Sequence, residues 1–245
     1  KDLPDKIEKN MAACMEQKQK ELYHAHAQRL ALMLQNQTEE EFADSRFQVL
    51  SELTRLRQLC CDPALVYENY EGGSAKLDLC IELIQSAVES GHKILLFSQF
   101  TSMIEILTAR LQEESISYFV LQGSTKKEQR AQMVEQFNRD DTSVFCISLK
   151  AGGTGLNLTG ADIVIHYDPW WNVAVENQAT DRAHRIGQKN VVTVYKLIAK
   201  GTIEEKIIKL QQRKKELAEE ILSGDEIKTA SFQREELLEL LEERF

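Results

Sequence analysis

Between positions 5 and 35 apolar residues recur at Ile7, Met11, Met15, Leu22, Leu30 and Leu34, and then again at Val49, Leu53, Leu56 and Leu59. Steps of three and four, and their multiples, keep such residues on one face of a helix, so the spacing predicts an antiparallel helical pair or a longer helical protrusion. Thr38 followed by Glu41 reads as a capping box opening the second helix, with Asn36 breaking the first. Glu71-Gly72-Gly73-Ser74 interrupts the pattern. Beyond it, short β-rich runs appear at 93–98, 118–121, 144–148, 162–167 and 191–198, separated by helical stretches such as 103–112. Thr125 and Glu128 predict a capping box for another of these helices. Apolar runs bounded by turns and separated by helices predict βαβ units and a parallel sheet buried on both faces.

After Gly201, Thr202 and Glu205 predict a helix with Ile203, Ile207, Leu210, Leu217 and Ile221 on one stripe, ending near Ser223-Gly224. Its other side is charged, so it packs along a surface. A short acidic amphipathic segment at 232–241 closes the chain. The expectation is an α/β chain in three parts: a helical protrusion or linker over 1–72, a sheet-containing lobe over 73–200, and a helix with a helical tail over 201–245.

Composition narrows the class. With 245 residues, 42% of them hydrophobic and 28% charged, the chain can bury a sizeable core. Three prolines and eleven glycines leave little linker-like sequence, and no repeat of solenoid period is present. Five cysteines, odd in number and without Cys-x-x-Cys or Cys/His spacing, point to a reduced intracellular protein with no metal; Cys60 and Cys61 read as packing residues. No apolar run reaches a membrane-spanning length and no signal peptide opens the chain, so no membrane partner is expected. A chain beginning with Lys1 reads as a piece of something longer.

The net charge of −9 argues superficially against a polyanionic partner. Its distribution removes the objection. Residues 1–75 carry 9 basic and 13 acidic side chains, residues 76–200 carry 13 and 14, and residues 201–245 carry 8 and 12. The acidity sits in the flanks, and a nearly neutral middle can present a local basic groove.

The densest candidate chemistry lies in 178–188, expected on a helix after the strand at 162–167. There Gln178, Arg182 and Arg185 are four and three apart and share a helical face. Two guanidinium groups so close repel unless an anion sits between them, and their planar forks match phosphate oxygens better than the single nearby carboxylate, Asp181. Salt bridges on a solvated face are the alternative. Upstream, Gly152, Gly153 and Gly155 follow a buried strand, where backbone amides can approach phosphate. Neither a dinucleotide fingerprint nor a Walker A loop is present. No catalytic role falls to the histidines, and His184 reads as a spacer within the arginine segment.

Taken together, the segments 94–100, 121–125, 148–158, 168–172 (Asp-Pro-Trp-Trp-Asn) and 178–188 resemble, in order and spacing, motifs four to six in the second RecA-like lobe of Swi/Snf-type ATPases, relatives of the superfamily-two helicases. The likeness reaches outward to 56–65 and to 201–206, which resemble the link out of the family's helical insertion and the start of its brace helix. The bacterial members look most similar. The resemblance implies a RecA-like parallel sheet flanked by helices, serving as the second motor lobe. It implies Arg182 and Arg185 as arginine fingers acting across a cleft, where such an arginine is worth roughly 10³–10⁵ in rate. Gln178 and Asp181 would position them, with Gly155 and Asn157 near the nucleotide. Ser98, Gln99, Gly123, Ser124, Thr125, Lys150 and Thr154 would contact phosphates of double-stranded DNA, and Trp171 would reach the groove. Val173 stands where the family usually has proline.

A hydrolysing lobe also needs a phosphate loop and an acidic pair for Mg²⁺, which this sequence lacks. The resemblance therefore implies ATP and Mg²⁺ held mainly by an N-terminal RecA-like lobe of the same protein, with protein cargo a further partner. Expected compartments are the bacterial cytoplasm and nucleoid, or a nucleus. Alone, the chain is expected to be inactive as an ATPase; together the lobes would form a motor that translocates duplex DNA without unwinding it. Two alternatives stand beside it, a non-catalytic interaction scaffold and a Rossmann-like enzyme binding a dinucleotide or methyl donor.

Overall fold

Among the described residues six strands and eight α-helices form in chain order: β1 (Lys6–Ala13), α1 (Gln17–Gln35), α2 (Glu39–Cys61), α3 (Ala75–Glu89), β2 (Ile94–Ser98), α4 (Thr101–Glu113), β3 (Tyr118–Leu121), α5 (Lys127–Arg139), β4 (Val144–Ser148), β5 (Ile163–His166), α6 (Val173–Thr180), β6 (Val192–Ala199), α7 (Ile203–Glu220) and α8 (Arg234–Leu241). This computed structural model describes residues 3–149, 151, 155–220 and 234–241. The chain divides into two units, residues 1–13 with 75–198, and residues 14–74 with 199–245.

The first unit is built on a sheet with strand order β1-β6-β5-β2-β4-β3. β2 pairs in parallel with both β4 and β5, β3 with β4, and β5 with β6. Val192 N–H donates to Asp5 O at 3.0 Å, so β1 and β6 start side by side and run the same way. Every residue of β2, β4 and β5 is buried, as expected where crossover helices cover both faces. On one face Phe137 of α5 meets Phe145 of β4 at 5.2 Å between ring centroids, among Leu95, Phe97, Ile147, Val164 and Val194. Burying one such aromatic ring contributes roughly 1.5–3 kcal/mol, which explains why an element as polar as α5 stays docked through a single fully buried phenylalanine.

Residues 6–13 correct the helical expectation for 1–72. Ile7 and Met11 are four apart, and that spacing puts both on one side of a helix and of a strand alike. Pairing with β6 decides between them, since an open sheet edge offers backbone partners. Charged Lys6, Glu8 and Lys9 suit a solvated edge strand, and Glu8 lies 3.9 Å from Lys196 of β6.

In the second unit α1 and α2 are antiparallel neighbours, with Gln19 Nε2 near the start of α1 donating to Leu59 O near the end of α2 at 2.8 Å. The capping box at Thr38 and Glu41 forms in both directions. The other two boxes do not. Thr125 Oγ1 instead accepts from Gln122 N–H at 3.1 Å, leaving α5 with Lys126 at its cap and no side-chain capping bond. Thr202 does cap α7, accepting from Glu204 N–H at 3.2 Å, but Glu204 and not Glu205 returns the contact, to Ala199 N–H at 2.8 Å. The helix end expected near 223–224 lies outside the described residues.

His166 closes β5, buried, with its ring stacked on Phe97 at 5.5 Å and Nε2 3.0 Å from Thr180 Oγ1. Burial pushes its pKa down to about 4; Glu176 and Glu8 oppose that shift, while Lys196 and Arg182 add to it. The unfolded chain takes up this proton near pH 6.5 and the folded chain only near 4. Stability from the neutral ring is therefore complete above the unfolded value and is lost as pH falls towards the folded one. Between those pH values wild type should lose on the order of 3 kcal/mol more than His166→Gln in chemical unfolding. Equal pH slopes in the two proteins would show that the ring does not titrate in this way.

Candidate active site

Parallel pairing brings the carboxyl ends of β2, β3, β4 and β5 to one edge: Ser98 pairs with Ser148, Leu121 with Ile147, and Phe97 with His166. All candidate segments leave the sheet there. In open parallel sheets this edge is where ligands bind.

Gly155, Gln178, Asp181, Arg182 and Arg185 line one cavity of about 440 Å³, together with Leu156, His184 and the apolar Leu3 and Ile186. Gln178, Asp181 and Arg185 are exposed. Arg182 is only 6% exposed, its guanidinium carbon 5.4 Å from the centroid of Phe97, and burial lowers its pKa to about 10. It remains a cation at neutral pH, in surroundings that screen its charge less than water does. Asn157 does not share this cavity. It lines a neighbouring one of about 500 Å³ against α5, and Gly155 and Leu156 are common to the walls of both.

The arginines are not on a helix, contrary to the sequence reading. α6 stops at Thr180, and residues 181–187 follow as turns and bends. Gln188 Nε2 draws this segment in, donating to Ala183 O at 3.0 Å and Ala161 O at 2.7 Å, while Gly187 adopts a left-handed φ of 109° that favours glycine. Leu158 N–H donates to Arg182 O at 3.0 Å, which ties the arginine backbone to the glycine-loop side. His184, read as a spacer, lies with Nε2 2.7 Å from Pro4 O.

Candidates for nucleic acid divide into three groups. Gly123 and Ser124 are exposed and Thr125 half-buried on the loop after β3. Lys150 and Thr154 lie outside the described residues. Ser98 and Gln99 face inward: Ser98 Oγ donates to Asp168 Oδ1 at 2.6 Å, and Gln99 Nε2 to Asp168 Oδ2 at 2.6 Å. Ser98 is wholly buried, so its hydroxyl is not presented to a phosphate in this structure. The crevice between β2 and β5, where strand order reverses, is thus closed by the protein's own carboxylate.

Trp171 is half-buried on the loop after β5. The loop is anchored through Trp170, whose N–H donates to Glu176 Oε1 at 2.7 Å, and Glu176, buried, pairs with Lys196 at 2.9 Å. Val173 begins α6, with Asn172 capping it by accepting from Ala174 N–H at 3.0 Å. That first helical position favours proline without requiring it.

The model for the helicase conserved C-terminal domain matches residues 75–187. An uncharacterized ATP-dependent helicase of Mycoplasma pneumoniae is 41% identical over 246 residues, covering 99% of this chain and 23% of that protein. The Sulfolobus solfataricus SWI2/SNF2 ATPase C-terminal domain superposes with a TM-score of 0.73 at 33% identity, over 90% of this chain and 91% of that one. This chain belongs to the SWI2/SNF2 ATPases. The SWI2/SNF2 ATPase core of the same organism, solved in complex with dsDNA, matches with a TM-score of 0.75 at 34% identity, over 89% of this chain and 46% of that one. This SWI2/SNF2 chain spans between 20% and 23% of the length of the first three curated relatives it matches. Among the described residues no cluster of three or more His, Cys, Asp or Glu could hold a metal, and no helix is long and apolar enough to cross a membrane.

Sequence reading missed three organisers of this SWI2/SNF2 edge: Asp168, Glu176, and Arg130 of α5, which donates to Thr125 O at 2.8 Å and to Ala151 O at 2.9 Å. Asp168 had one usable signal, a carboxylate placed directly after a buried strand; Glu176 and Arg130 look like ordinary polar helix positions until their partners are known. Asp168→Ala should destabilise the chain by roughly 3 kcal/mol in urea unfolding, because it strands the buried donors of Ser98 and Gln99. Asp168→Asn, which keeps an acceptor oxygen, should cost less than half of that; equal costs would show that the acceptor is not what matters.

Proposed function

We propose that this chain is the second lobe of an ATP-driven translocase of double-stranded DNA, and that Arg182 and Arg185 complete the ATPase site of a preceding RecA-like lobe. The observation that carries this reading is the single cavity that gathers both arginines with Gln178, Asp181 and Gly155. Its donor set fits a triphosphate: two guanidinium forks, an amide side chain and a glycine backbone. A desolvated Arg182 beside a solvated Arg185 supports a division of labour, the first a fixed charge and the second a group able to reach across a cleft. A charge fixed in a low-dielectric site stabilises a developing phosphoryl charge without reorganising when it develops.

ATP with Mg²⁺ would bring the transferable γ-phosphoryl, held mainly by the other lobe. Asp181 beside the arginines limits their mutual repulsion until phosphate arrives. The loop with Gly123, Ser124 and Thr125 then serves one DNA strand, with Lys150 and Thr154 assigned to the same role by family pattern, and Trp171 serves the groove. Contacts of this kind fix register on the duplex without reading sequence. Ser98 and Gln99 take a revised role, positioning the Trp171 loop through Asp168. The SWI2/SNF2 core solved with dsDNA supports DNA as the partner. The dinucleotide alternative loses ground because the glycine segment leads towards β5 and not into a helix.

The test is ATP turnover by the full-length protein with and without duplex DNA. Wild type should be DNA-stimulated, and Arg185→Ala should lose roughly 10³-fold or more in kcat with little change in the KM for ATP. The 245-residue chain alone should not hydrolyse ATP, and a forked duplex should not be unwound. Full turnover by Arg185→Ala would end the finger assignment.

A further inference from the structure

Arg130 sits in the first turns of α5, outside every motif that the function draws on. Its guanidinium group nonetheless binds four carbonyl oxygens on two separate loops. Nε donates to Thr125 O at 2.8 Å, and Nη2 to Gly123 O at 3.0 Å and Gln122 O at 3.3 Å, which holds the loop after β3. Nη1 donates to Ala151 O at 2.9 Å, which holds the segment after β4. Among the described residues no carboxylate comes within 4.0 Å of it, although charge-matched partners are the usual reason for a part-buried arginine.

A second fastening lies on the same helix face. Asn138, eight residues on, donates from Nδ2 to Asn157 O at 2.8 Å and accepts at Oδ1 from Gly160 N–H at 2.9 Å. A Cβ at Gly160 would meet Asn138 Oδ1 at 2.9 Å and Asn138 Cα at 3.1 Å, so a larger residue there would push directly on this fastening. α5 therefore grips the segment that follows β4 at Ala151 and again at 157–160. Between those grips, Gly155 and Leu156 form a wall common to the arginine cavity and to the one beside α5.

We propose that Arg130 is a positioning residue that couples DNA engagement at the 122–125 loop to the arginine cavity by tying that loop to the segment after β4. The proposal rests on the motor reading above and adds to it a specific mechanical link. A guanidinium group suits the task because its donors diverge in a fixed plane, so one side chain can hold two loops in a single relative placement. Lysine has a single ammonium centre and cannot span both sets of carbonyls. Displacement of the 122–125 loop by a DNA strand would then move the Ala151 side with it. Through α5, which also holds 157–160 by Asn138, that shift would reach the cavity wall at 155–156.

Full-length protein carrying Arg130→Lys or Arg130→Ala separates this from a purely structural role. Basal ATP turnover and the KM for ATP should stay within about twofold of wild type, while DNA-stimulated kcat falls about tenfold and half-stimulation needs several-fold more duplex. Arg130→Lys decides the matter if Arg130→Ala fails to fold. Unchanged stimulation in a folded variant, or equal loss of basal and stimulated turnover, overturns the proposal. If wild type itself shows no DNA stimulation, the motor reading fails instead, and amide hydrogen exchange decides the link. Arg130→Lys should then quicken exchange in 122–125 and 155–157 together, and a change confined to 122–125 overturns it.

Discussion

Parallel pairing of β2 with β4 on one side and β5 on the other is the constraint from which the site follows. It forces the exits of buried strands onto one edge, whatever their separation in sequence. Gly155 after β4 and the tryptophan loop after β5 thereby follow strands that end on the same edge as β3. The strands can lie this way because all their residues are buried and their backbone groups are satisfied within the sheet.

Polar side chains at that edge then give the loops their shape. Asp168 accepts from Ser98 and Gln99 across the crevice between β2 and β5, and Glu176 holds Trp170 while paired with Lys196. Arg130 and Asn138 do the same for the segment after β4. Asp168 and Glu176 are buried, so a missing partner there would be costly, whereas Arg130 is half-buried and Asn138 exposed. Main-chain placement at the candidate site is therefore set from within the unit, before any ligand arrives.

The two arginines illustrate how burial differentiates like residues. Three positions apart, they differ in solvation because the chain turns sharply after Thr180 and sends Arg182 back over Phe97. Arg185 stays in water on the other side of that turn. A helix would have given them similar surroundings. The irregular backbone places a buried cation and a solvated one in a single cavity.

The strands at 118–121 and 144–148 were legible to the residue, since short apolar runs between turns have few other uses. The capping box at Thr38 was also readable, because it depends on residues close in sequence, and the motif order had already grouped Arg182 and Arg185 with Gly155, which shares their cavity. Residues 6–13 were not, because a spacing of four fits helix and strand equally and only the open edge of β6 chose between them. Nor could the sequence expose Asp168, Arg130 or Glu176 as organisers. Asp168 meets Ser98 and Gln99 from about 70 positions away and Arg130 meets Ala151 from 21 away, and only the closing of the sheet brings such distant groups within hydrogen-bond reach.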